Sequence, residues 1–137
     1  MNLINADAIK KVLQDNGVKP SLQRIKIYEF LTTQKSHPTV DEIFVSLAPE
    51  LMTLSKTTVY NTLNLFVEKK IITSILVEEN EIRYDSDITN HGHFKCIKCK
   101  KVYDFSYDLS KHAIAELSDC AITEYHAYIK GICNKCL

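Results

Sequence analysis

The chain has 137 residues, 17 basic against 17 acidic side chains, and 45% hydrophobic residues. That suits one domain of ordinary size or two small ones with a real core. Zero net charge gives no bulk-charge argument for nucleic acid, and no run approaches the roughly 18–20 apolar residues of a membrane span.

The N-terminus, MNLINADAIKK, lacks the apolar stretch of a signal peptide. A cytoplasmic protein is expected, with its thiols kept reduced. Residues 1–70 carry nine Lys/Arg against seven Asp/Glu, and residues 71–137 carry eight against ten. An excess of two is no basic patch, so any DNA binding must come from a few residues placed on one face.

Taken in order, residues 5–16 predict a helix with Ala6, Ile9, Val12 and Leu13 on one stripe, stopped by Gly17. Pro20-Ser21 opens a second helix to about Leu31, with Leu22, Ile25, Tyr28 and Leu31 at helical spacing. Thr39 and Glu42 form a capping box for a third helix that buries Val40, Ile43, Phe44 and Leu47 and stops at Pro49. Ser55 caps a fourth, with Val59, Leu63, Phe66 and Val67 inward. Its other face shows Lys56, Thr57, Tyr60, Asn61 and Asn64. A helix presenting Lys, Thr, Tyr and Asn after another short helix suits a recognition helix, because these side chains donate to phosphates and Asn can read adenine. A merely solvated face has the same pattern.

After Lys70 the period changes from 3.6 to 2, and residues 71–86 predict a hairpin around Glu79-Asn80. Helices followed by a hairpin describe a winged helix, expected over residues 1–85. The polar run 86–90 reads as a hinge. A second domain, residues 91–137, is expected to run strand (His91–Cys96), knuckle, strand (Lys101–Phe105), helix (about Leu109–Ser118) and strand (Ala121–Ile132). The fold class is therefore α+β. At roughly 50 residues the second domain needs a metal or dimerisation to supplement its core.

Two donor sets lie between Asp85 and the C-terminal residues. Cys96 and Cys99 form one CxxC pair, and Cys133 and Cys136 a second. In a reducing compartment four such thiolates read as a closed tetrahedral zinc site. Cys120 is left over and is expected to be a small buried hydrophobe. Around the first pair lies a harder set, Asp85, His91, His93 and Asp104. If HGHF is extended, residues two apart share a side, so His91 and His93 can chelate one ion. Soft and hard sets select different metals.

With these pieces placed, the chain resembles the ferric-uptake-regulator (Fur) family of metal-dependent bacterial repressors. The resemblance spans nearly the whole chain through KPSLQRIKIYEFL, SHPTVDEIF, LSKTTVYNTLNLFVEKKII, RYD, HGHFKCIKCKKVYDF and GICNKC. It implies an N-terminal winged helix, a C-terminal dimerisation domain and a homodimer on palindromic operator DNA. It also implies structural Zn(II) at Cys96, Cys99, Cys133 and Cys136, and a regulatory Fe(II) or Mn(II) at His37, Asp85, His91, His93 and Asp104. DNA contacts are expected from Arg24, Lys56, Thr57, Tyr60 and Asn61.

Asp104 matches the peroxide-sensing branch (PerR), in which Fe(II) and hydrogen peroxide oxidise a ligand histidine and DNA is released; the iron-uptake branch more often has Glu there. A further family metal site looks eroded, with Asn90 and Gly92 in place of a His and an acid. His112 and His126 are then expected at the surface.

Two other classes compete. A thioredoxin-like CxxC opens a helix inside a βαβ unit, a setting neither pair has here, so an enzyme is not expected on that ground. A His/Asp iron site with open positions could instead serve an oxygenase, which would turn over 2-oxo acids. A zinc-ribbon interaction module would give no mobility shift with operator DNA.

Overall fold

The computed structural model describes residues 5–78, 81–89, 91–108, 113–123 and 125–137. The chain divides into two compact units, Met1–Ile88 and Thr89–Leu137.

The first unit holds α1 (Ala6–Asp15), α2 (Leu22–Thr33), α3 (Val40–Leu47), α4 (Lys56–Glu68), β1 (Thr73–Glu78) and β2 (Glu81–Asp85). Each helix begins at a polar cap whose side chain accepts a backbone N–H: Asn5, Ser21, Thr39 and Ser55. Thr39 and Glu42 form the reciprocal capping box their spacing predicts. α1 closes on Gly17 at φ +76, with Val18 N–H returning to Leu13 O and Gly17 N–H to Gln14 O. α4 closes in the same way on Lys70 at φ 60, with Ile71 N–H returning to Phe66 O. No glycine marks that second stop.

Ile9, Leu13, Ile27, Leu31, Ile43, Val59, Leu63 and Phe66 fill one continuous core under the four helices. Tyr84 of β2 joins it. Two expected core residues are exposed instead, Ala6 and Leu22, the latter by 63%. Both are the first residue of their helix. Each therefore lies beyond the turn that its neighbours bury, and Ile27 takes the place in α2. β1 and β2 pair antiparallel, with Thr73 opposite Asp85 and Ile75 opposite Arg83. The turn at Glu79-Asn80 lies outside the described residues. Four helices and a two-stranded hairpin form the expected winged-helix arrangement.

The second unit is a three-stranded sheet ordered β4-β3-β5, with β3 (His91–Cys96), β4 (Val102–Ser106) and β5 (Ala127–Gly131). β3 runs antiparallel to β4 and parallel to β5. The expected helix to Ser118 is not present in its described part, where residues 113–118 hold one 3-10 turn, Ala115–Leu117. Its predicted start, with His112, lies outside the described residues. The last strand is shorter than expected and excludes 121–123. Those residues are exposed and face no partner strand in the sheet register.

Apolar burial is scarce in this unit. Among its described residues only Gly92, Lys95, Cys96 and Cys133 are buried. A unit of this size with so little core needs a further staple, and the cysteines supply it. Among the described residues, no helix is long and apolar enough to cross a membrane.

Candidate metal centres and DNA-facing helix

The register of the sheet sorts the two donor sets. Gly92 pairs with Phe105, His93 with Asp104, Phe94 with Tyr103 and Lys95 with Val102. Directly paired residues share a face, and successive residues alternate. His91, His93 and Asp104 therefore lie on one face of the sheet, and Phe94, Cys96 and Tyr103 on the other. Strand periodicity keeps Cys96 apart from the hard ligands.

On the soft face, one sulfur from each of Cys96, Cys99, Cys133 and Cys136 lies within 4.8 Å of all the others. Cys99 Sγ and Cys133 Sγ are 3.8 Å apart. Tetrahedral zinc with Zn–S of about 2.3 Å requires S···S of about 3.8 Å, whereas a disulfide requires about 2.05 Å. The donor set fits zinc. All five cysteines are free thiols.

The N–H groups of Cys99 and Cys133 both point at Cys96 Sγ, each at 3.4 Å. The bond from Cys133 contributes most, and together they pull the Cys96 thiol down to about 6. Cys136 is pushed up to about 12, first by its bond to Cys133 and then by burial. Crowded thiols ionise one at the expense of another unless a cation neutralises them.

On the hard face, the imidazoles of His91 and His93 stand edge to face with centroids 4.5 Å apart. His91 Nδ1–H donates to Thr89 O at 2.6 Å. His93 Nδ1–H donates to Asp104 Oδ1 at 2.8 Å. A carbonyl and a carboxylate can only accept, so both rings carry their proton on Nδ1 and offer Nε2 as the ligating atom. On the opposite face, with Phe94 and Cys96, a Cβ on Gly92 would lie 2.2 Å from the ring of Phe105. Asn90 lies outside the described residues.

The first unit carries its own pair. His37 Nε2 is 3.4 Å from Asp85 Oδ2, and both side chains are buried. His37 has φ 55, an unusual backbone for a residue that precedes proline. β2 holds it there. Arg83 Nη1 donates to His37 O at 3.2 Å, and Tyr84 N–H donates to Pro38 O at 3.0 Å. Arg83 is itself anchored to Glu81 at 2.8 Å. Backbone strain over-determined by its surroundings is characteristic of functional positions.

α4 turns Lys56, Thr57, Tyr60, Asn61 and Asn64 to solvent, one face of a 3.6-residue period. Lys56 Nζ makes an ion pair with Asp41 of α3 at 3.1 Å. Arg24 is bent back by donating to Lys19 O at 2.8 Å. It lines a groove with Lys19, Ser21, Thr58 and Asn61.

Three contributors had no signal in spacing. Arg83 acts across 46 residues of chain, Thr89 acts through its backbone carbonyl, and Tyr103 sits on the soft face by register. Cys120 is exposed, not buried as expected; its N–H closes onto Leu117 O in the surface turn. His126 is exposed, as expected.

The profile of the ferric uptake regulator family matches residues 15–130. The peroxide-responsive repressor PerR of Staphylococcus saprophyticus is 33% identical over 127 residues, covering 90% of this chain and 86% of that protein. Among solved structures, the ferric uptake regulator of Vibrio cholerae aligns with TM-score 0.75 at 29% identity, covering 90% of this chain and 98% of that one. The iron-bound ferric uptake regulator of Francisella tularensis aligns with TM-score 0.74 at 26% identity, covering 88% and 95%. The chain is a member of the ferric uptake regulator family.

Proposed function

We propose that this chain is a metal-dependent transcriptional repressor that senses hydrogen peroxide. The observation that carries the reading is the clustering of four thiols around Cys96, on the sheet face opposite His91, His93 and Asp104. The thiolates hold Zn(II) as a structural staple. His37, Asp85, His91, His93 and Asp104 hold Fe(II) or Mn(II), three imidazole nitrogens and two carboxylates being an N/O set of the kind those ions take.

His37 and Asp85 belong to the unit that carries α4, and the other three to the sheet unit. A shared ion therefore links DNA reading to dimerisation. The protein acts as a homodimer on palindromic operator DNA, with Lys56, Thr57, Tyr60 and Asn61 at the groove and Arg24 at the flank.

Fe(II) held at that His/Asp site would activate hydrogen peroxide, which is the two-electron oxidant: one of its oxygen atoms would be inserted into a C–H bond of a ligand imidazole and the other would leave as water. The protein's own part is to hold both imidazoles of β3 by Nδ1 with Nε2 toward the ion. An altered ring is a lost ligand, and operator affinity falls with it. The relatives named peroxide-responsive repressors support this branch, as does Asp104.

The second reading is an iron-responsive repressor of uptake genes, favoured by the likeness to an iron-bound ferric uptake regulator. A mobility shift with operator DNA, with and without Mn(II), tests the repressor itself. Repeating it with Fe(II) and peroxide separates the branches: release of DNA supports the first, and retention the second. Binding that ignores metal altogether contradicts both.

A further inference from the structure

We propose that Arg83 is a positioning residue for the regulatory metal: paired with Glu81, it holds His37 in the backbone conformation that turns its imidazole to Asp85. This rests on the reading of His37 and Asp85 as regulatory ligands.

His37 is a non-glycine residue at φ 55, followed by Pro38. Left alone, a residue before proline settles in extended backbone with negative φ. The imidazole would then leave its place 3.4 Å from Asp85 Oδ2. Three consecutive residues of β2 oppose that relaxation. Tyr84 N–H donates to Pro38 O at 3.0 Å. Asp85 accepts the N–H of Asp87 on Oδ1 at 2.9 Å and turns Oδ2 to His37. Arg83 Nη1 donates to His37 O at 3.2 Å.

Arg83 grips the strained residue itself, at its backbone carbonyl. Its side chain is 11% exposed, and Nη2 lies 2.8 Å from Glu81 Oε1. Its Nε is buried with no hydrogen-bond partner among the described residues. The fork is therefore aimed by two acceptors, Glu81 and His37 O, while its Nε–H goes unsatisfied. Glu81 also meets an electrostatic need. A bare guanidinium so close to a metal-ligating histidine would repel the ion, and the ion pair neutralises it. A lysine carries the same charge on one nitrogen and does not reproduce the rigid two-nitrogen fork.

The test uses full-length, zinc-loaded protein with Mn(II) as the probe. Losing the partner that orients a metal ligand typically weakens a site about 10–100-fold. Arg83→Met, which keeps an apolar stem, should lower Mn(II) affinity in calorimetry by about that factor, with zinc content unchanged. Arg83→Lys, which keeps the charge, should recover only part of the loss. In a His37→Ala background, Arg83→Met should lower Mn(II) affinity no further, because the residue it acts through is gone. A merely structural Arg83 would weaken both backgrounds alike. In the unsubstituted protein the two Nη groups of Arg83 should give separate nitrogen resonances, since each is held by its own acceptor; this measurement needs no variant. Mn(II) affinity kept in Arg83→Met, full recovery in Arg83→Lys, equal losses in both backgrounds, or one averaged Nη resonance overturns the proposal. If His37→Ala itself leaves Mn(II) affinity unchanged, the ligand reading falls and the proposal with it.

Discussion

His93 Nδ1 stands 2.8 Å from Asp104 Oδ1, and the two residues are direct partners across β3 and β4. The carboxylate fixes the tautomer of the ring it faces. Asp104→Asn keeps an acceptor of the same shape but removes the charge. Mn(II) affinity should fall about 10–100-fold, measured by calorimetry, with zinc content unchanged. Unaltered Mn(II) binding would place the regulatory ion elsewhere.

His37 is held in a left-handed backbone by Arg83 and by the Tyr84–Pro38 bond. It is the only imidazole in the proposed set that belongs to the α4-bearing unit. Allosteric coupling by a ligand is typically about 1–3 kcal/mol, so Mn(II) should tighten operator binding roughly 5- to 150-fold. His37→Ala should abolish that gain and leave the zinc in place. A variant that still responds to Mn(II) in a fluorescence-anisotropy titration would exclude His37 from the coupling.

The four sulfurs replace much of the core that the sheet unit lacks. Cys96→Ser and Cys136→Ser should each purify without zinc, as unfolded or monomeric protein, because the metal's binding energy is folding energy here. Metal analysis with size-exclusion chromatography checks this. A stable zinc-free dimer of either variant would refute the structural role.

Lys56 is the charged member of the exposed α4 face and is shared with Asp41. If it neutralises one phosphate, Lys56→Ala should lower the slope of log K against log salt by about one. Thr57→Ala and Tyr60→Ala should weaken binding with the slope nearly intact. Unchanged affinity in all three would mean that another face meets the DNA.

Local rules made much of this molecule legible before any coordinates. Capping residues placed two helix starts, Thr39 with Glu42 and Ser55, since each satisfies N–H groups of its own first turn. Alternation in HGHF placed both histidines on one side, since a strand allows no other arrangement. What escaped depends on distant partners. The αL stop at Lys70 carries no glycine, because the returning bond from Ile71 to Phe66 and burial of Ile71 hold it. Leu22 and Ala6 kept helical spacing yet fell outside the core, since periodicity gives a stripe and not where the stripe begins. Cys120 was read from the average behaviour of cysteine, but it is exposed, and residues 113–118 before it hold a single 3-10 turn. Arg83 reaches His37 only because β2 lies beside the α2–α3 connection, a tertiary fact.

The most direct measurement is peptide mass spectrometry on operator-bound protein after one dose of hydrogen peroxide, run in parallel with Fe(II) and with Mn(II). The account predicts one added oxygen atom on His37 or His91, with release of DNA, in the Fe(II) sample alone. Oxidation confined to Cys96, Cys99, Cys133 or Cys136, or an Fe(II) sample that keeps its histidines and its DNA, would contradict it.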